Sequence, residues 1–261
     1  MADKNDSVGR TLFIVVGLCL ICSLVVSGSA VLLSPLQLEN KIKEKQEYIL
    51  QAAGFDIDGI VDINDFYEQH IHAQVIDLKT GKIVTDMDPK TIDIKALAAN
   101  KDTSFIPQKD IASVRRISQY GLLYFVYNNN QLTSIIFPIN GRGLWSMMYA
   151  FLALEPDMNT IQSLVYYDFS DSGETPGLGG EVQNPKWQAL WHGKKLFNEQ
   201  GKLVIAVSKG SYNDNQHVVD ALSGATITSN GVQNSLRFWF SDEGYAHFIT
   251  YFKNGEISYV R

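Results

Sequence analysis

Between Arg10 and Glu39 the chain carries no charge, and from Thr11 to Leu33 it is apolar almost without interruption. As a helix, that stretch is about 33 Å long, close to the roughly 30 Å hydrocarbon core of a bilayer. The pattern predicts a transmembrane helix over 11–34, preceded by a short tail at 1–10. A cleaved signal peptide competes, because Gly28-Ser29-Ala30 has the look of a small-residue cleavage site. The run continues through Val31, Leu32 and Leu33, which favours a retained anchor. Lys4, Arg10 and the amino terminus on one side nearly balance Lys41, Lys43 and Lys45 on the other, so charge counting leaves the orientation open.

Beyond the anchor, Leu38, Ile42, Ile49 and Ala53 recur at helical spacing and predict a helical stalk over 35–54, broken locally at Pro35 and ended by Gly54. The acidic stretch 56–70 reads as a solvated turn and helix start; the spacing around Asp58-Gly59 is not that of a calcium loop. Alternating apolar and polar residues predict a hairpin at 72–84 about Thr80-Gly81 and another at 121–139 about Asn128 to Asn130. Further strands are expected at 163–169, 202–208, 245–252 and 256–260, and helices at 184–197 and 229–241. In the second helix, Val232, Leu236, Trp239 and Phe240 share a face, with Ser229 or Asn230 as N-cap. The fold class is α+β: a single N-terminal transmembrane helix, then a mostly antiparallel sheet with flanking helices. The soluble domain divides into an N-terminal part, 55–139, and a ligand-bearing part, 140–261.

Composition narrows the chemistry. With 261 residues, 45% hydrophobic and 19% charged, the chain has the makings of a sizeable core, and its net charge of −6 argues against a nucleic-acid partner. The only cysteines, Cys19 and Cys22, lie inside the apolar run, so the soluble part has no disulfide and no cysteine nucleophile. His70 and His72 are two apart, and His192, His217 and His247 stand alone, which predicts no metal site. No G-x-G-x-x-G between a strand and a helix marks a dinucleotide site.

One passage is unusual. DALSGATITSNGV, residues 220–232, gathers Ser223, Thr226, Thr228 and Ser229 with Gly224 and Ala225 at a helix entrance. A helix N-terminus has unpaired N–H groups and a partial positive charge, which suits a phosphate, and small residues let backbone approach a ligand. A capped helix after a glycine turn, needing no ligand, accounts for the same residues.

Asp220-Ala221-Leu222-Ser223-Gly224-Ala225-Thr226 resembles the flavinylation motif of FMN-binding domains, Asp-x-x-Ser/Thr-Gly-Ala-Thr/Ser. The resemblance implies one FMN per chain, esterified through its phosphate to Thr226 by a flavin transferase that uses FAD. Asp220, Ser223, Gly224, Ala225 and Thr226 would form the signature that this enzyme reads. Two glycine-rich loops add to the likeness: NGRGLWS, 140–146, and SDSGETPGLGGE, 170–181. Each is also an ordinary turn by composition. In this order, with the N-terminal anchor, the three motifs resemble the C-subunit family of the Na+-translocating NADH:quinone reductases. The expected flavin contacts are Gly143, Leu144, Trp145 and Ser146 on one side, Glu174, Thr175, Gly177 and Leu178 on the other, with Ser223, Gly224 and Ala225 beside the tether. By resemblance, the chain is a redox subunit, not catalytic alone, in a bacterial inner-membrane complex. It would span once, face the periplasm and relay electrons from NADH, bound on another subunit, toward quinone as Na+ is exported. Three rival readings are the G subunit of the related ferredoxin:NAD+ oxidoreductase (Rnf), a membrane-anchored FMN-binding sensor module, and an envelope scaffold in which all three glycine motifs are only turns.

Overall fold

The computed structural model describes residues 8–167, 173–210 and 216–257, in two compact units, 1–45 and 46–261. The first unit is helical throughout its described length and belongs to α1, Val8–Ala52. Leu12, Phe13, Leu20, Val26 and Leu32 are all exposed around this helix, which has no apolar core to bury them. It is long and apolar enough to cross a membrane. The expected break at Pro35 is absent: the helix runs through it. Losing one backbone hydrogen bond does not end a helix held by bonds on both sides, a tolerance common in apolar spans.

In the second unit the last turns of α1 are followed by α2, Ile63–His70, which runs directly into β1, Ile71–Asp77. Next come β2, Ile83–Val84; α3, Ile94–Ala99; and the short pair β3, Ser104–Phe105, with β4, Ile117–Ser118. β5, Tyr120–Asn128, and β6, Gln131–Arg142, form the long hairpin expected from the sequence. Asn129 and Asn130 both adopt positive φ, 50° and 62°, the primed turn that matches the twist of two-residue hairpins. β7, Met147–Leu154, and β8, Ile161–Tyr167, complete a six-stranded antiparallel sheet of order β2-β1-β5-β6-β7-β8. The remaining elements are α4, Pro185–Gln188; the parallel pair β9, Ala206–Ser208, and β10, Val218–Asp220; α5, Thr226–Trp239; and α6, Ala246–Lys253.

Because successive strand side chains point to opposite faces, the sheet has two apolar surfaces. Ile71, Val75, Tyr124, Val126, Ile136 and Phe151 face one way and pack with Ile49, Leu50 and Ala52 at the end of α1 and with Ala53 just past it. There the Ala52 and Ala53 carbonyls accept from Ser163 Oγ (2.6 Å) and Gln162 Nε2 (2.9 Å) of β8. Leu123, Phe125, Ile135, Phe137, Ile139 and Leu152 face the other way, against Val232, Leu236 and Trp239 of α5 and Phe248 of α6. α5 lies close on β6: a Cβ on Gly141 would stand 2.6 Å from Ser235 Cβ. Trp239 Nε1 donates to the Asn140 carbonyl (2.8 Å) and the Tyr245 hydroxyl to that of Pro138 (2.6 Å). Burial holds the Tyr245 phenol well above its ordinary pKa, so it stays a neutral donor.

Several expectations need correction. The strand expected over 245–252 is instead α6, Ala246–Lys253, with Tyr245 as its N-cap: Tyr245, Phe248, Ile249 and Phe252 follow a 3.6-residue period that outweighs their β-propensity. The helix expected over 184–197 is α4 plus one 3-10 turn to Trp191; Gly193 at φ 75° stops it, and Lys195 and Phe197 enter strand-like bridges. Over 202–208 only the last three residues form a ladder strand. The pattern does not anticipate β7, whose run MMYAFLAL is apolar on both faces. The strand expected at 256–260 falls mostly outside the described residues.

Phe137 is fully buried, with ring centroids 5.1–5.9 Å from Phe240, Tyr245 and Phe248. Phe137→Ala is therefore expected to destabilise the second unit by about 3–5 kcal/mol, read as a lowered midpoint in a urea melt.

Candidate functional site

The helix entrance at 220–232 is built by a glycine turn and an internal clamp. Gly224 takes φ 75°, a left-handed conformation that L side chains resist. The Ala225 N–H returns to the Leu222 carbonyl (3.3 Å). Ser229, 1% exposed, accepts from the Leu222 N–H and donates to the Ala225 carbonyl, both at 3.0 Å. The helix begins earlier than expected: the N-cap is Ala225, not Ser229 or Asn230, and Thr226 is the first helical residue. Ser229 does not cap the end; its hydroxyl is spent tying the preceding turn to the helix.

An alanine cap has no side chain to give, so the first-turn N–H groups of α5 keep their capacity for an anion. The hydroxyls around that end have separate fates. Thr228 and Ser229 are buried and bonded, whereas Ser223 and Thr226 are exposed. Thr226 thus stands exposed at the positive end of a 14-residue helix. Asp220 ends β10 as an exposed residue, and its carbonyl accepts from Trp187 Nε1 (2.8 Å).

The other two motifs come to the same place. Gly143 and Ser146 close the β6–β7 turn through the Gly143 N–H and the Ser146 carbonyl (2.8 Å), leaving Leu144 42% and Trp145 62% exposed. Glu174, 7% exposed, lies beneath that turn. Its Oε1 accepts from the Trp145 backbone N–H (3.0 Å), and its Oε2 accepts from the Thr228 hydroxyl (2.8 Å). Trp145 Nε1 donates to Thr175 Oγ1 (3.4 Å), and the Thr175 carbonyl accepts from Leu178 and Gly180. Leu178 reaches the first motif, its Cδ2 standing 2.9 Å from where a Cβ on Gly224 would be. One carboxylate and one leucine therefore tie together three segments far apart in sequence: the Trp145 turn, the 174–178 loop and the start of α5 with its glycine turn.

The surface they make is apolar around a polar point. Leu144, Trp145, Leu178 and Ile227 are exposed large apolar side chains on these three segments. Sequence reasoning missed Ile227 as a surface group; its signal was a β-branched residue directly after Thr226, at a position the helical period turns outward. It also missed Gly179, where a Cβ would collide with Glu174 Oε2. Gly177 has positive φ (75°) and no neighbour at its missing Cβ, so its role is the turn itself. The histidines stand apart: His70, His192 and His217 each place Nδ1 2.8–2.9 Å from a backbone carbonyl. Among the described residues, no three His, Cys, Asp or Glu side chains are grouped to hold a metal.

Comparison with known proteins converges on the same segments. A family model described as FMN-binding domain matches residues 143–241, from the Gly143 turn to the end of α5. The chain is 41% identical to the C subunit of the Na+-translocating NADH-quinone reductase of Vibrio alginolyticus, the match covering 99% of this chain and 100% of that one. It belongs to that C-subunit family. A second such relative, from Neisseria meningitidis, is 44% identical over 97% of this chain and 98% of its own. Among solved structures, NqrC of Shewanella oneidensis superposes with TM-score 0.78 at 37% identity, covering 83% of this chain and 99% of that one. The family member from Parabacteroides distasonis gives TM-score 0.66 at 26% identity, over 84% and 97%. The α+β sheet domain with flanking helices is thus the fold of the C-subunit family.

Because Glu174 fills the space beside Gly179, a methyl group there has nowhere to go. Gly179→Ala is expected to cost about 1–3 kcal/mol by overpacking, measured by urea unfolding of the full chain.

Proposed function

We propose that this chain is a flavoprotein subunit of a Na+-translocating NADH:quinone reductase, carrying one FMN joined to Thr226 through its phosphate. The observation that carries the reading is the exposed Thr226 at the uncapped start of α5, inside Asp220–Thr226 and next to the apolar surface of Leu144, Trp145 and Leu178. The residues present fit such a group. The first-turn N–H groups and the helix dipole stabilise a phosphodiester anion, and the exposed apolar side chains suit a flat ring.

Attachment is a phosphoryl transfer. The Thr226 oxygen bonds to the FMN-side phosphorus of FAD, the bond to the AMP phosphate breaks, AMP leaves, and the hydroxyl proton is lost to a base. Neither His nor Lys lies within five residues of Thr226 along the chain to act as that base, which fits modification by a separate flavin transferase. Asp220, exposed six residues before the tether, is open to that enzyme. FMN supplies electron transfer when bound. Thr226 holds it, α5 offsets the phosphate charge, Gly224 and Ala225 leave room for it, and the 143–146 and 174–178 loops orient it. The assembly we infer has α1 in the bacterial inner membrane, the second unit on the periplasmic side, and neighbouring subunits that deliver and remove electrons between NADH and quinone as Na+ is exported. Names of relatives on nearly full-length matches support this over an Rnf subunit or a sensor module.

Co-expression with a flavin transferase should yield a full-length band that fluoresces under ultraviolet light on a denaturing gel. Thr226→Ala should be dark while Ser223→Thr stays bright, because the Asp-x-x-Ser/Thr-Gly-Ala-Thr/Ser pattern accepts either hydroxyl at 223; a bright Thr226→Ala band moves the attachment elsewhere.

A further inference from the structure

Building on the attachment at Thr226 proposed above, we infer that Glu174 is a positioning residue. It presents the attachment turn and tunes the flavin through Trp145 and Thr228, without touching the cofactor. Its carboxylate is 7% exposed and both oxygens are taken, one by the Trp145 backbone N–H and one by the Thr228 hydroxyl. Both donors are neutral, and no Lys, Arg or His forms an ion pair with Glu174 among the described residues. A buried charge without a counter-ion is costly, so the site must hold it by other means. The means at hand is the start of α5: Thr228, whose hydroxyl donates to the carboxylate, is the third residue of that helix, so the carboxylate lies beside its positive first turn.

The phosphodiester on Thr226 would draw on the same helix end. Two anions then share the first turn of one helix, the phosphodiester at exposed Thr226 and the carboxylate beside buried Thr228, and of the two it is the carboxylate that solvent screens least. The carboxylate disfavours adding an electron to a flavin held there, and so lowers its reduction potential. Sterically the carboxylate is locked: Cβ atoms on Gly143 and Gly179 would collide with Oε1 and Oε2 respectively. Glu174 therefore fixes the distance between the Trp145 turn and the first turn of α5, and its charge comes with that role.

The test uses the full-length chain co-expressed with a flavin transferase, comparing wild type, Glu174→Ala, Glu174→Gln, Thr228→Val and Thr226→Ala. Flavin per chain is read from in-gel fluorescence, the fold from circular dichroism, and the potential by redox titration. Glutamine keeps the shape: its oxygen accepts from Trp145 and its amide donates to Thr228 Oγ1. We expect Glu174→Ala to lose about fivefold or more of its flavin by leaving buried donors unmet. Glu174→Gln should restore flavin content close to wild type with a potential shifted positive. Should Glu174→Ala fail to fold, Thr228→Val carries the test, since it removes one bond and keeps the side-chain volume; its flavin content should fall severalfold. Wild-type flavin content in a folded Glu174→Ala or in Thr228→Val overturns the inference, as does an unmoved potential in Glu174→Gln. A dark wild-type band or a bright Thr226→Ala band overturns instead the attachment reading, whatever the Glu174 variants do.

Discussion

A carboxylate removed from water has to find donors within the protein, and at Glu174 that requirement organises the whole candidate site. Its two oxygens are met from two different segments, the Trp145 turn and the third residue of α5. Each bond is modest by itself, but leaving either oxygen unmet in a buried place is expensive. The glycines follow from the same constraint, because side chains at 143 and 179 would occupy the carboxylate's space. What looks in the sequence like generic turn punctuation is clearance around one charged group.

The sheet sets where that group can be. β6 carries Phe137 and Ile139 into the face covered by α5 and α6, and the Asn140 carbonyl anchors Trp239 at the far end of α5. Gly141 and Gly231 let the helix and strand approach closely, which brings the start of α5 to the β6–β7 turn. The exposed threonine, the uncapped helix and the apolar rim are thus consequences of one helix pinned on one strand. The N-terminal helix obeys a different solvent: its apolar side chains surround it on all sides and suit a bilayer, not a core.

The sequence showed most plainly what depends on local pattern. The uncharged run, the two hairpins about Thr80-Gly81 and Asn128 to Asn130, and the apolar face of α5 all obey short-range periodicity or turn chemistry. It misled where two periods overlap, as in 245–252, whose aromatic and β-branched residues suit a strand but whose buried positions follow a helix. At the site, the three motifs could be seen one by one, and family likeness joined them. The link itself was not visible, because the bond between Glu174 and Thr228 spans 54 residues and depends on tertiary packing. For the same reason the division among hydroxyls, with Thr228 and Ser229 buried and Thr226 exposed, had to come from three-dimensional structure.

That division concentrates the account on a single oxygen atom. Trypsin, cutting after Lys209 and Arg237, releases one peptide that holds Ser223, Thr226, Thr228 and Ser229 together. Fragment-ion mass spectrometry of that peptide, from chain matured with a flavin transferase, locates the modification directly. The account predicts a mass increment of FMN less one water on Thr226 alone, with the other three hydroxyls unmodified. The same increment on Ser223, Thr228 or Ser229, or a peptide with no increment at all, would contradict it.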